Sequence, residues 1–336
     1  MDRTAFWSWA YGITSRKNTG LGNALVYKPI KLAIRLAQKF SNDPVVKLPA
    51  GEKALFMPWS HNLPLILRNN PLYETEIGRL ASHLNKTDGE LLMIDIGANI
   101  GDTIAALPAL GRAKFLCVEG SERYFGLLRK NYESDPRTVL LFALLTDEPA
   151  QANGARLKET EGTAHVDKVG GSAAAAPWLT LDEIVGKYPA FANANFVKVD
   201  VDGYDLRTLR GATTFLERAK PCLHIEVGPQ LWREYGGCEV SDGLAFLSKF
   251  GYKDVLVYDN LGYFITRDTT QNPKFIGVLA DYAMRHPPWF YINLIAFHET
   301  RKDLEQFYGG EIKAASDSSR QIRADGAASD LSEFSR

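Results

Sequence analysis

Cysteine, charge imbalance and long apolar runs are what this chain lacks. Three cysteines among 336 residues, Cys117, Cys222 and Cys238, are odd in number and have neither metal-ligand nor redox spacing, so neither a disulfide framework nor a zinc cluster is expected. Two of them sit inside apolar strand-like runs, which predicts reduced core residues in a cytoplasmic protein. Lys+Arg number 39 against 40 Asp+Glu, and this near-balance gives no field to gather nucleic acid. No stretch reaches the roughly twenty continuous apolar residues of a transmembrane helix. The opening MDRTAFWSWAYG has neither the basic segment nor the unbroken apolar core of an export signal, so export and membrane insertion are not expected. The six histidines are scattered, which predicts no metal site, and no internal repeat is present.

What the chain does have is material for a core. With 45% hydrophobic residues it can bury one large domain plus an accessory segment. Residues 1–72 read as an N-terminal extension, helical in part and punctuated by proline. Within it Ile30, Ala33, Ile34, Ala37 and Phe40 recur at helical spacing while Lys28, Lys31, Arg35 and Lys39 fall mostly opposite. A helix of that kind over residues 28–40 could touch an anionic membrane surface weakly or dock on its own domain. Residues 73–310 alternate strand and helix, and 148–176, rich in Ala and Gly, read as a loop-rich insertion. Residues 311–336 carry Ser, Ala, Asp and Arg without period and are expected to be disordered.

The most informative segment runs from Leu91 to Gly101. An apolar run, buried on both faces as a central parallel strand must be, ends near Asp95 and opens onto Gly97 and Gly101. These glycines let the backbone turn tightly beside a ligand. The next apolar run, Lys114 to Val118, ends at Glu119, the place about twenty residues on where a nucleoside-binding crossover keeps the acid for ribose hydroxyls. Ser121 then reads as the N-cap of a following helix.

A second cluster lies on the run Phe196 to Asp205. Val197, Val199 and Val201 alternate with Lys198, Asp200 and Asp202, so three charges share one face of a central strand. That is costly unless they are paired or border a polar cavity. Lys198 is placed to hold Asp200, and Asp205 crowds the same turn, as an N-cap or as part of the site. His224 and Glu226 share a face of the next strand, and both runs end where an open parallel sheet holds its ligands.

Asp95-Ile-Gly-Ala-Asn-Ile-Gly101, Val118-Glu119, Thr180-Leu-Asp182, Lys198-Val-Asp-Val-Asp-Gly-Tyr-Asp205 with Leu209-Arg-Gly211-Ala, and Ile225-Glu226 resemble, in that order, the motifs of FkbM-like S-adenosylmethionine-dependent methyltransferases. The resemblance covers residues from about 73 to 300. It implies an α/β, Rossmann-like class I methyltransferase fold with a seven-stranded, mostly parallel sheet, helices on both faces and an antiparallel last strand. It further implies S-adenosyl-L-methionine as cofactor and a hydroxyl on a sugar, glycan or other polyhydroxylated metabolite as acceptor. Asp95, Gly97, Asn99 and Gly101 would cradle the methionine part and Glu119 the ribose, with Ala98, Gly120 and Ser121 in the same cofactor-binding set. Asp200 and Asp202 would be candidates for the base, Lys198 would hold a carboxylate ionised, and Asp205 or Glu226 would orient the acceptor. Many members have proline where this chain has Gly120, and glutamates at Asp202 and Asp205. An NAD-dependent oxidoreductase shares the glycine turn and ribose acid, and a non-catalytic nucleotide-binding scaffold could keep the fold.

Overall fold

The computed structural model describes residues 43–48, 53–58, 61–149, 156–159, 164–167, 172–173, 176–286 and 291–317. The helix expected over residues 28–40, and the membrane reading that rests on it, lie outside these residues. Among the described residues no helix is long and apolar enough to cross a membrane.

Eight strands form the main sheet: β1 (Leu91–Ile96), β2 (Ala113–Glu119), β3 (Thr138–Phe142), β4 (Phe196–Val199), β5 (Cys222–Val227), β6 (Asp254–Asp259), β7 (Phe264–Thr269) and β8 (Ile292–Phe297). Their spatial order is β3-β2-β1-β4-β5-β8-β6-β7. β1 to β5 run parallel, and β8 is antiparallel to both β5 and β6. The expected seven-stranded sheet with its antiparallel last strand is therefore present, and β7 adds an eighth strand at the edge. The Asp259 side chain accepts from the backbone N–H groups of Leu261 and Tyr263, both at 2.9 Å. This pins a tight turn that returns the chain along β6.

Helices cover both faces. Along β1, Ile94 and Ile96 point to one side, where they pack with Leu181, Leu206, Phe215 and Leu244. Those residues belong to α5 (Leu181–Lys187), α6 (Asp205–Arg210), α7 (Thr213–Ala219) and α8 (Val240–Lys249), which are reached after α1 (Leu63–Asn69), α2 (Thr75–Asp88), α3 (Asp102–Ala106) and α4 (Glu122–Tyr132). Leu91 and Met93 point to the other side, against Leu80 and Leu84 of α2 and Leu128 of α4. The period-2 alternation thus feeds two apolar layers from one strand. Two longer helices follow, α9 (Ile276–Arg285) and α10 over residues 304–317.

Among the described residues before α2, Val46, Leu55, Met57 and Leu63 are buried in the same layer as α2 and α4, as a cover packed on the domain would be. Two expectations are corrected. The segment 148–176 is not merely loop, since Arg156–Glu159, Ala164–Asp167 and Ser172–Ala173 form a small antiparallel sheet. The stretch after the β4 turn forms two helices, α6 and α7. They break at Gly211, where an added Cβ would lie 2.5 Å from the Thr146 carbonyl oxygen. Disorder from residue 311 is also wrong as far as residue 317, because α10 buries Glu311 against Arg79, with two contacts of 2.7 Å, and the Tyr258 hydroxyl at 2.9 Å. Composition hid this anchor because one buried carboxylate carries it.

Candidate active site

The turn after β1 passes through Gly97 (φ 82°), Asn99 (φ 50°) and Gly101 (φ 84°). A Cβ on Gly97 would lie 1.8 Å from the Asp200 carbonyl oxygen, and one on Gly101 2.3 Å from the Tyr132 ring. Both glycines therefore let the turn pack on β4 and α4; protein atoms, not a ligand, take the space their side chains would need. Asn99 tolerates the left-handed conformation better than most residues.

Glu119, at the end of β2, closes this turn. Its Oε2 accepts from the Asn99 backbone N–H at 2.8 Å, and its Oε1 from the Ser121 N–H at 2.7 Å. Burial nonetheless pushes its carboxyl up to about 7, against the lowering effect of the backbone hydrogen bonds. The Ser121 hydroxyl in turn caps α4 by accepting from Tyr124 N–H at 3.3 Å.

Charges accumulate on β4 as its sequence requires. Lys198 is opposite Asp95 on β1 and His224 on β5. Its Nζ donates to Asp200 Oδ2 at 2.7 Å and stands 3.9 Å from Asp95 Oδ1. Burial alone would lower the Lys198 pKa, but the carboxylates of Asp200, Asp95 and Glu74 hold it well above its ordinary value. Asp95 is fully buried, which pushes it up to about 6 despite Lys198. Glu226, at the end of β5, is raised well above the carboxylate range by burial and by Asp200, Asp202 and Asp205. Glu74 has φ 56° immediately before α2 and is pushed up to about 8, by burial first and then by Asp102 and Asp200 against Lys198.

Glu74, Glu119, Lys198, Asp200 and Glu226 border one cavity of about 700 Å³ along the carboxyl edge of the parallel strands. Its apolar lining includes Leu144, Leu157, Val166 and Trp178, and its polar lining includes Tyr73, Glu74, Glu226 and Tyr291. Seven carboxylates line it, Glu74, Asp102, Glu119, Asp200, Asp202, Glu226 and Glu234, against one lysine, Lys198, among the described residues.

The sequence model of the Methyltransferase FkbM domain matches residues 95–253. This stretch is an FkbM-type methyltransferase domain. A curated relative, the hexuronic acid methyltransferase AglP of Haloferax volcanii, is 30% identical over 146 residues, which are 40% of this chain and 55% of AglP. The chain thus spans about half the length of the curated relative it matches. Among solved structures, methyltransferase FkbM from Methylobacillus flagellatus KT shows 18% identity over 47% of this chain and 37% of its own, with a TM-score of 0.32. The M. jannaschii TYW2 structure in complex with AdoMet shows 11% identity over 76% of this chain and 85% of its own, with a TM-score of 0.39.

Within the FkbM-type domain, Gly97, Asn99, Glu119, Gly120, Ser121, Lys198, Asp200, Asp202 and Glu226 all line the cavity. Four expected site residues do not. Asp95 lies behind Lys198, and Ala98 and Gly101 are inside the packed turn. Asp205 is a structural clamp: it accepts from Val201 N–H and Gly203 N–H, each at 3.0 Å, and from Trp232 Nε1 at 3.1 Å. β4 ends at Val199, and the positive φ of Asp202 (48°) and Gly203 (103°) turns the chain so that Asp205 folds back onto its own loop. His224 is likewise turned away from the cavity, onto Glu76 Oε1 at 3.2 Å. Asp182 accepts from Thr214 and Phe215 N–H at 3.0 and 2.8 Å. The Thr180-Leu-Asp182 motif therefore ties α5 to α7. Sequence reasoning missed His61, Tyr73, Glu74, Asp102 and Tyr291, which also line the cavity. Asp102 could have been found, as the first residue of the helix after the glycine turn; the others lie outside the FkbM-type domain and carry no motif.

Proposed function

We propose that the chain binds S-adenosylmethionine at the Glu119 end of the cavity and methylates a hydroxyl of a sugar or related polyhydroxylated acceptor. The observation that carries this reading is the acid-rich lining of the cavity among the described residues: Asp102, Glu119, Asp200, Asp202 and Glu234 against one lysine, with Glu74 and Glu226 shifted toward their neutral forms. Such a donor set fits a cofactor with an ammonium and a sulfonium. It does not suit the pyrophosphate of a dinucleotide, which would sit at the helix N-terminus after the glycine turn. That position is held by Asp102, a carboxylate lining the cavity. The oxidoreductase reading loses its support there.

Glu119 keeps lone pairs free for ribose hydroxyls because each of its oxygens takes one backbone N–H. When bound, S-adenosylmethionine supplies an electrophilic methyl whose bond to sulfur breaks as the new O–CH3 bond forms. Asp200, with Oδ2 held by Lys198, keeps Oδ1 free to take the proton of the attacking hydroxyl, and Asp202 is the second candidate. Glu226, its carboxyl raised well above the usual range by burial and by Asp200, Asp202 and Asp205, is placed to orient the acceptor by hydrogen bonding. The similarity to a hexuronic acid methyltransferase supports a sugar as the acceptor class. Titration calorimetry with S-adenosylmethionine and NAD, followed by transfer of radiolabelled methyl to a panel of sugars, tests the reading. Tighter binding of NAD would overturn it.

A further inference from the structure

Because the cavity follows the sheet edge, its two ends can be assigned by strand. Glu119 ends β2 and Tyr291 immediately precedes β8. In the order β2-β1-β4-β5-β8 these are four strand spacings apart, roughly 19 Å. Lys198 and Asp200 stand between them at β4. With the cofactor's ribose at Glu119 and its reactive centre near β4, the stretch from β5 to β8 remains for the second substrate.

That stretch has an unusual polar composition. Tyr73 lies beside Tyr291, and Glu74 and Glu226 complete the group around Asp200. Burial and neighbouring carboxylates favour the acid form of both glutamates, pushing Glu74 up to about 8 and Glu226 well above the usual carboxylate range. A carboxylic acid and a phenol each donate one hydrogen bond and accept others, as a sugar hydroxyl does. Such groups can therefore bridge vicinal hydroxyls, whichever way each points. An anionic acceptor would instead meet Asp200, Asp202 and Glu234 nearby, with Lys198 already committed to Asp200. Tyr73, Glu74 and Tyr291 all lie outside the residues 95–253 of the methyltransferase domain.

Resting on the function proposed above, we propose that Tyr73, Glu74, Tyr291 and Glu226 form the acceptor subsite, and that they select an uncharged polyhydroxylated substrate over an anionic one. Specificity then resides largely in segments flanking the domain, which present three of the four bifunctional hydrogen-bonding groups to the end of the cavity away from Glu119.

The test uses the full chain saturated with S-adenosylhomocysteine and two probes that differ by one charge, methyl glucoside and methyl glucuronide. Saturation-transfer NMR with competition gives their relative affinities. Glucoside binding at least tenfold tighter than glucuronide binding, weakened about tenfold by Tyr291→Phe and by Glu74→Ala, is the expected result. S-adenosylmethionine affinity, measured by calorimetry on the same variants, should stay within about twofold, and it also shows that they fold. Equal or tighter glucuronide binding, no binding of either sugar, or glucoside binding unaffected by both variants overturns the subsite. Failure of the wild type to bind S-adenosylmethionine would instead overturn the function on which the subsite rests.

Discussion

The Glu119 carboxylate accepts a hydrogen bond from the backbone N–H of Asn99 at 2.8 Å, so the acid at the end of β2 holds the turn that follows β1. One residue thereby links the shape of the glycine turn to the group offered to the cofactor. Glu119→Gln removes one of its two acceptor oxygens and sets an amide N–H against a backbone donor. S-adenosylmethionine affinity is expected to fall by about 1.5–3 kcal/mol, roughly ten- to a hundredfold. Titration calorimetry measures it directly, and an unchanged dissociation constant would remove Glu119 from the site.

The buried acids also set a pH dependence. Asp95 is pushed up to about 6, Glu119 and Asp205 to about 7 and Glu74 to about 8, from ordinary values of 3.8 or 4.5. A carboxyl whose folded pKa is raised stabilises the fold fully below its unfolded pKa and loses that contribution as pH rises through the folded pKa. The cofactor-free protein is therefore expected to become less stable between about pH 5 and pH 8, as read by urea denaturation at fixed ionic strength. A bound cation favours the ionised acids, so saturating S-adenosylmethionine should flatten the slope and bind more tightly at the upper end of that window. Stability that rises with pH in the cofactor-free protein would contradict this.

The helix after β8 carries its own prediction. Glu311 is buried, bidentate to Arg79 and bonded to Tyr258. Glu311→Ala leaves those donors short of a partner and should cost about 1–3 kcal/mol, measured as a lower urea midpoint. Removal of residues 318–336 should leave the midpoint unchanged, because the Glu311 contacts all lie before the cut.

What was legible in the sequence follows from the range of each signal. The β1 turn and Glu119 could be read because strand, glycines and acid are close in the chain and the crossover fixes their spacing. The Lys198–Asp200 pair could be read because residues two apart share a strand face. Glu74 was not legible: it precedes α2 in a left-handed conformation, and only the packing of α2 on the sheet brings it to Lys198 on β4. Tyr73 and Tyr291 flank the domain on opposite sides in the sequence and are brought together by packing in the same way. Gly97 and Gly101 were found by pattern but for a different physical cause, since protein atoms rather than a ligand press on them.

The three aspartates after β4 separate chemistry from structure. Asp200 and Asp202 line the cavity, whereas both oxygens of Asp205 are engaged by Val201, Gly203 and Trp232. If a carboxylate takes the acceptor's proton, Asp200→Asn or Asp202→Asn should lower turnover about a hundredfold or more, since a general base contributes roughly 10²- to 10⁴-fold. Cofactor affinity should change far less, because that proton moves only in the transition state. Asp205→Asn should behave in the opposite way: it sets an amide against buried donors and lowers stability by at least about 2 kcal/mol, while the folded fraction keeps its turnover. The measurements are kcat with saturating cofactor, cofactor affinity by calorimetry and urea midpoints for all three variants. Normal turnover in both cavity variants would exclude Asp200 and Asp202 as the base. A loss of turnover in folded Asp205→Asn as large as theirs would show that the clamp and the chemistry cannot be separated at this turn.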